Sequence, residues 1–204
     1  MLARLREAYP DLRVSVTDGE AEQMLPAVLA GDLDVAVVEN WDGLPSPTPS
    51  GTTRARLCDD IVDLALPATH RLAERGDVAL GRVDDLDWVA DGGGTRAQAW
   101  LFRTLRAVNL EPRVTCTVCG FGMHLELVAG AGVAALVPRL ARPPIPAGVR
   151  MVTTTPTLGR TIDAVWRTDR NTPAVRAAVS TLRAVAAGTA PAYQASATPT
   201  NPDS

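Results

Sequence analysis

The chain of 204 residues is 46% hydrophobic, carries a formal net charge of −3 and has a mean hydropathy of +0.05. That balance excludes a disordered chain, which would lack the apolar surface to fold, and a membrane-embedded one, since no run of about eighteen apolar residues occurs. Residues 1–95 hold 18 acids against 8 Arg and residues 96–204 hold 5 against 12, yet the lobes assigned below leave 11 of each in one lobe, so charge marks no nucleic-acid-binding half.

The chain opens inside a helical pattern, with Leu2 and Leu5 apolar and Tyr9-Pro10 closing it, and no capping residue comes first. Leu12, Val14 and Val16 then alternate with Arg13, Ser15 and Thr17, which predicts a strand with one buried face that ends at Asp18-Gly19. Apolar positions 21, 24, 25, 28 and 29 form a helical stripe that Pro26 bends and Gly31 stops. The run Val35-Ala-Val-Val38 has the two-sided apolar character of a strand in a covered parallel sheet, completing a predicted strand-helix-strand unit. Residues 43–53, rich in Pro, Ser, Thr and Gly, read as a surface loop.

Ile61–Leu66 predicts the next strand, Pro67 to His70 a turn, and Trp88–Ala90 a short strand that runs into Gly92-Gly-Gly-Thr95. The helix that follows has Thr95 as N-cap, a core face of Ala97, Trp100, Leu101, Leu105 and Val108, and Pro112 beyond its end. After a strand around Val114, Gly120 begins a helix whose face includes Met123, Leu127 and Val128; Gly130 and Gly132 end it, and Val133–Val137 is a buried strand. Beyond the link Arg142–Pro146, strands are predicted at Arg150–Val152 and through Ile162, Ala164 and Trp166. In the last helix Thr172 caps, Pro173 takes the first position, and Val175, Val179, Leu182 and Ala186 share a stripe. Residues 188–204, mainly Ala, Thr, Pro and Ser without periodicity, read as a disordered tail.

Four stretches resemble, in order and spacing, the effector-binding domain of LysR-type transcriptional regulators: Tyr9–Val16, Gly31–Val37, Leu64–Ala73 and Leu127–Pro138. The resemblance, over residues 2–187, implies an α/β, two-lobed fold of the periplasmic-binding-protein type II class. Lobe one would comprise residues 1–56 plus 148–187, lobe two residues 57–147, with crossings near Leu57–Asp60 and Ala147–Val149. It also implies a small metabolite held in the cleft between the lobes and a homodimer formed through this domain; no cofactor is expected, and the cysteine content makes the cytoplasm the expected setting. DNA would be contacted only through a helix-turn-helix that this chain does not show, and lobe one lacks the first strand usual in the family. The alternatives are a stand-alone cytoplasmic ligand-binding module or an enzyme on the same fold.

Three places suit a ligand, because helix N-termini present free amides and the positive end of the helix dipole. At Asp18-Gly19-Glu20-Ala21 the candidates are Gly19 and Glu20; Glu20 would repel an anion, or simply favours its own helix dipole. At Gly92–Arg96, glycines 93 and 94 allow close backbone approach, Thr95 offers a hydroxyl and Arg96 a clamp for a carboxylate; the plain reading is a turn with Thr95 as cap and Arg96 solvated. At Cys119–His124, Gly120, Phe121 and His124 line the cleft, or Phe121 is ordinary packing and His124 lies on the surface. Cys116 and Cys119 form a C-x-x-C, but zinc needs four ligands, only Cys58, His70 and His124 remain to complete the set, and no metal is assigned. The odd number of cysteines suits a reducing compartment, and no G-x-S-x-G elbow supports a catalytic triad.

Overall fold

The computed structural model of the chain describes residues 1–188, and the tail read from Gly188 onward lies, past Gly188 itself, outside the described residues. The described chain forms two compact units, one of residues 1–60 and 160–188, the other of residues 61–159. The chain passes from the first to the second within strand β2 (Thr52–Pro67) and returns within β8 (Leu158–Arg167). Strand β7 (Val149–Thr155), which the sequence reading put in lobe one, is hydrogen-bonded to residues 64–67 of β2 and so falls in the second unit.

In the first unit, helix α1 (Leu2–Ala8) buries Leu5, and α2 (Ala21–Ala30) buries Leu25 and Val28. Gly31 closes α2 at φ 88°, a left-handed conformation that only Gly adopts without strain, and its N–H bonds the carbonyls of Ala27 and Val28. Strand β1 (Ala36–Trp41) pairs with β8, with β2 on the far side of β8. One core joins Leu25, Val28, Ala36, Val38 and Val165; the other sets α5 (Pro173–Ala187), through Val175 and Val179, on Ala55, Ala164 and Trp166.

Two expectations fail here. Residues 12–20 form no strand and Val16 is 68% exposed, because an alternating segment becomes a strand only when a neighbour supplies ladder partners. For the same reason β1 is no inner strand of a parallel sheet: it pairs antiparallel at the sheet's edge, its burial alternates, and Val37 stands 49% exposed.

In the second unit, β6 (Ala135–Pro138) and β7 flank the end of β2, and β3 (Asp77–Ala79) runs parallel to β7. Strands β4 (Trp88–Ala90) and β5 (Val114–Thr117) are parallel, and a bridge from Trp88 to Ala134 continues the parallel set towards β6. Helices α3 (Arg96–Ala107) and α4 (Phe121–Ala131) follow β4 and β5. The core packs Leu125 and Val128 of α4 against Val89, Ala135, Val137 and Val149, which covers one face of β6, and Leu136 is buried on the other. The buried face of α4 is rotated from the one read in the sequence: Met123 is 52% exposed, and His124, Leu125 and Val128 point inward. Among the described residues no helix is long and apolar enough to cross a membrane.

Candidate functional site

Because β4 and β5 are parallel, their carboxyl ends lie side by side, and each feeds a helix through a glycine-containing turn. The turns touch. The N–H of Val118 donates to the carbonyl of Ala90 at 3.1 Å, and a Cβ built on Gly92 would stand 3.6 Å from the Cys119 sulfur. The structure thereby brings together, within the second unit, Gly93, Gly94, Thr95 and Arg96 from one turn and Gly120, Phe121 and His124 from the other.

The first turn is held in place by its own side chains. Gly94 has φ +87°, which only Gly takes without strain, and an added Cβ there would meet nothing within 4 Å. The Thr95 hydroxyl donates to the carbonyl of Gly92 at 3.0 Å and accepts from the N–H of Gln98 at 3.2 Å, so the expected cap is present. Gln98 reaches back: its Oε1 accepts from the Gly94 N–H at 3.2 Å and its Nε2 donates to the carbonyl of Asp91 at 3.4 Å. Arg96 begins α3, half-buried, and neither α3 nor α4 carries an acid within its first turn, although the Asp91 carboxylate stands 3.6 Å from His124 beside the start of α4.

In the second turn Gly120 sits exposed before α4 at φ +84° and Phe121 is half-buried against the core. His124 is 2% exposed, which departs from both a cleft-lining and a surface position. Its Nε2 lies 3.2 Å from the carbonyl of Val118 and 3.6 Å from Asp91 Oδ1, and its ring meets Phe121 edge-on at 5.4 Å. A carbonyl only accepts, so Nε2 carries the proton and His124 ties the turn after β5 to the first turn of α4.

Gly19 and Glu20 belong to the first unit. A Cβ on Gly19 would meet the Met24 side chain at 2.6 Å, so Gly lets the chain cross that methionine closely. Glu20 is exposed, and its carbonyl accepts from the N–H groups of Gln23 and Met24, both at 2.9 Å, as the residue before a helix does. With Glu22 in the first turn, the start of α2 is acidic where those of α3 and α4 are not.

Asp91 and Gln98 belong to this cluster and were not singled out from the sequence. Gln98 had a signal, since Thr95-x-x-Gln98 has capping-box spacing; Asp91 had none beyond following a strand. Cys116 is half-buried and Cys119 exposed, both free, and among the described residues no group of three His, Cys, Asp or Glu is placed to hold a metal ion. A pocket of about 460 Å³ also lies in the second unit, at the amino ends of these strands rather than at the turns.

A family model described as the LysR substrate binding domain matches residues 1–187. The transcriptional activator IlvY of Salmonella typhimurium is 31% identical over 144 residues, 67% of this chain and 45% of that protein. The chain thus spans less than half the length of that regulator. Among solved structures, the Synechocystis CcmR regulatory domain in complex with 2-PG superposes with a TM-score of 0.78 at 13% identity, covering 93% of this chain and 91% of that one. The BenM effector binding domain with its effector benzoate gives 0.77 at 17% identity, covering 92% and 84%. These likenesses bear out the expected α/β fold of the periplasmic-binding-protein type. With the family model matching from the first residue to the end of the last helix, the chain belongs to the LysR substrate-binding-domain family.

Proposed function

We propose that this chain is the effector-sensing part of a LysR-type transcriptional regulator, that its two units are the regulatory subdomains, and that the effector is a small acidic metabolite. The observation that carries the effector class is the meeting of two helix starts, neither with an acid in its first turn, over exposed Gly93, Gly94 and Gly120. Two dipole ends favour an anion there, and Arg96 adds a full charge beside the α3 start. Benzoate in the BenM domain is a carboxylate, in keeping with this reading. Gly93, Gly94, Thr95, Arg96 and Gly120 are the proposed contacts, Phe121 an apolar wall, and His124 a support for the turn. Gly19 and Glu20, at the start of α2 in the first unit, stay a separate proposed contact, and the acidic start of that helix suits no anion.

In the regulator, DNA binding belongs to a helix-turn-helix outside the stretch described here, and this domain pairs as a homodimer in the cytoplasm. A thermal-shift screen of the chain against small carboxylates and phosphorylated acids tests the site, because a ligand that binds only the folded state raises Tm with concentration. The expected result is a saturable rise that is lost in Arg96→Ala and reduced in Thr95→Ala. A rise undiminished in both variants overturns the site assignment, and none with any acidic compound overturns the effector class.

A further inference from the structure

The pocket of about 460 Å³ in the second unit falls within the range of small-molecule sites. Asp85 and Asp87 precede β4, Arg113 precedes β5, and Gly132 and Val133 precede β6, so the pocket opens at the amino ends of the parallel strands, opposite the glycine-containing turns. Its chemistry is also opposite. Two carboxylates and one guanidinium line the pocket; Arg113 is engaged by Asp87, Nε to Oδ1 at 3.0 Å, and Asp85 is paired with Arg71 from outside the lining at 3.2 Å, so the anionic excess at the rim comes from a helix end. The end of α4, at Ala131 and Gly132, brings the negative pole of a helix dipole to the rim, and its last turn holds no basic side chain. Partial burial pushes the Asp85 carboxyl up, but hydrogen bonds from His70 and Arg71 outweigh it and hold it below the usual carboxylate range, so it is ionised at neutral pH. Leu86, Val133 and the half-buried Cys116 supply apolar surface beside these charges.

We propose that this pocket is a second ligand site, distinct from the effector turns, and that it takes a small organic ammonium ion, with Asp87 and the carbonyl end of α4 receiving the charge and Leu86 and Val133 the hydrocarbon. The two sites lie at opposite ends of the same strands and have opposite electrostatic preference.

Cys116 lines the pocket and reports its occupancy. Cys119 lies beside the opposite turn and Cys58 in the other unit, so both serve as internal controls. The test measures iodoacetamide alkylation of each cysteine in the native full chain by peptide mass spectrometry, with n-butylammonium, n-butanol or butyrate present. The expected result is a saturable loss of Cys116 alkylation with n-butylammonium alone, unchanged rates at Cys58 and Cys119, and no protection in Asp87→Asn. Equal protection by n-butanol makes the pocket merely apolar, protection by butyrate assigns it to Arg113 and anions, and no protection leaves no site: each overturns the proposal. If Asp87→Asn does not fold, judged by far-ultraviolet circular dichroism, Asp85→Asn replaces it, with weakened protection expected and undiminished protection counting against the proposal.

Discussion

Strand β2 carries two buried aspartates, one for each unit, and they are neutralised in different ways. In the first unit Asp60 is fully buried and Arg160, whose side chain is 3% exposed, donates to it from Nε at 3.0 Å. Arg160 also bonds Glu39 and lies over the Trp41 ring at 5.0 Å, so its guanidinium is enclosed by one buried acid, one half-exposed acid and an aromatic face. In the second unit Asp63, 5% exposed, is held by two arginines that reach solvent: Arg139 donates from Nε and from a terminal nitrogen at 2.8 and 2.9 Å, and Arg142 adds a further contact. Their side chains are 33% and 21% exposed. A charge pair fully withdrawn from water depends strongly on each partner, whereas one whose arginines reach solvent depends less on either.

The largest expected effect is therefore at Arg160. Replacing it by Met strands the Asp60 carboxylate without its buried counter-charge, and a loss of about 3–5 kcal/mol is expected in urea unfolding. The double variant Arg160→Met with Asp60→Leu recovers most of that loss, since an apolar pair of similar volume needs no desolvation of charge. At Asp63 the Arg139→Ala substitution leaves Arg142 in place, and about 1 kcal/mol is expected, the worth of an ordinary hydrogen bond. Removing both arginines brings the second cluster towards the first. Equal losses for Arg160→Met and Arg139→Ala would show that burial does not separate the two clusters.

These clusters also mark where the sequence was hard to read. The first half of β2, Thr52-Thr-Arg-Ala-Arg-Leu-Cys-Asp-Asp60, is polar, and its pattern reads as a loop to residue 53 and as a strand only from Ile61, because the partners of Arg54, Asp60 and Asp63 lie 76 to 109 positions on, at Asp163, Arg160, Arg139 and Arg142. No local spacing reveals such pairs. What was legible is what local chemistry decides: Gly31 as a left-handed stop, Thr95 and Thr172 as caps, Pro173 at the first helical position, and the stripe of α5. The alternation of residues 12–17 is a local signal of the same kind, but a strand is not a local structure. Of the candidate site, the two turns were legible from Gly and Thr at strand ends, and the burial of His124 was not, since it follows from a rotation of α4 that three-four spacing left ambiguous.

The two legible caps sharpen the comparison between the units at a smaller scale. Thr95 begins α3 in the second unit and Thr172 begins α5 in the first, each accepting from the third helical N–H, at 3.2 and 3.3 Å. Thr95→Ala and Thr172→Ala should each lower stability by about 1 kcal/mol in urea unfolding. Only Thr95 lies in the proposed effector turn. The acid-induced rise in Tm should therefore fall in Thr95→Ala and persist in Thr172→Ala, and a matching fall in both would mean that the Thr95 effect is stability alone.

The smallest expected effect is at Cys58, which lies beside the buried Asp60 and reads its charge. Burial raises the Cys58 thiol above its ordinary range, and the carboxylates of Asp60 and Asp59 add to this while Arg160 and Arg56 oppose it. The pH profile of Cys58 alkylation should therefore turn upward at a higher pH than that of an ordinary exposed thiol. A thiol pKa raised on folding adds stability below the unfolded midpoint and gives it up as pH climbs through the folded one, so Cys58→Ala should flatten the alkaline limb of the stability profile. Asp60→Asn removes a nearby negative charge, and the profile should move to lower pH. Asp63→Asn, in the other unit, should leave it in place. A profile that ignores both substitutions would mean that burial alone sets the thiol and that the charge of Asp60 is fully screened by Arg160.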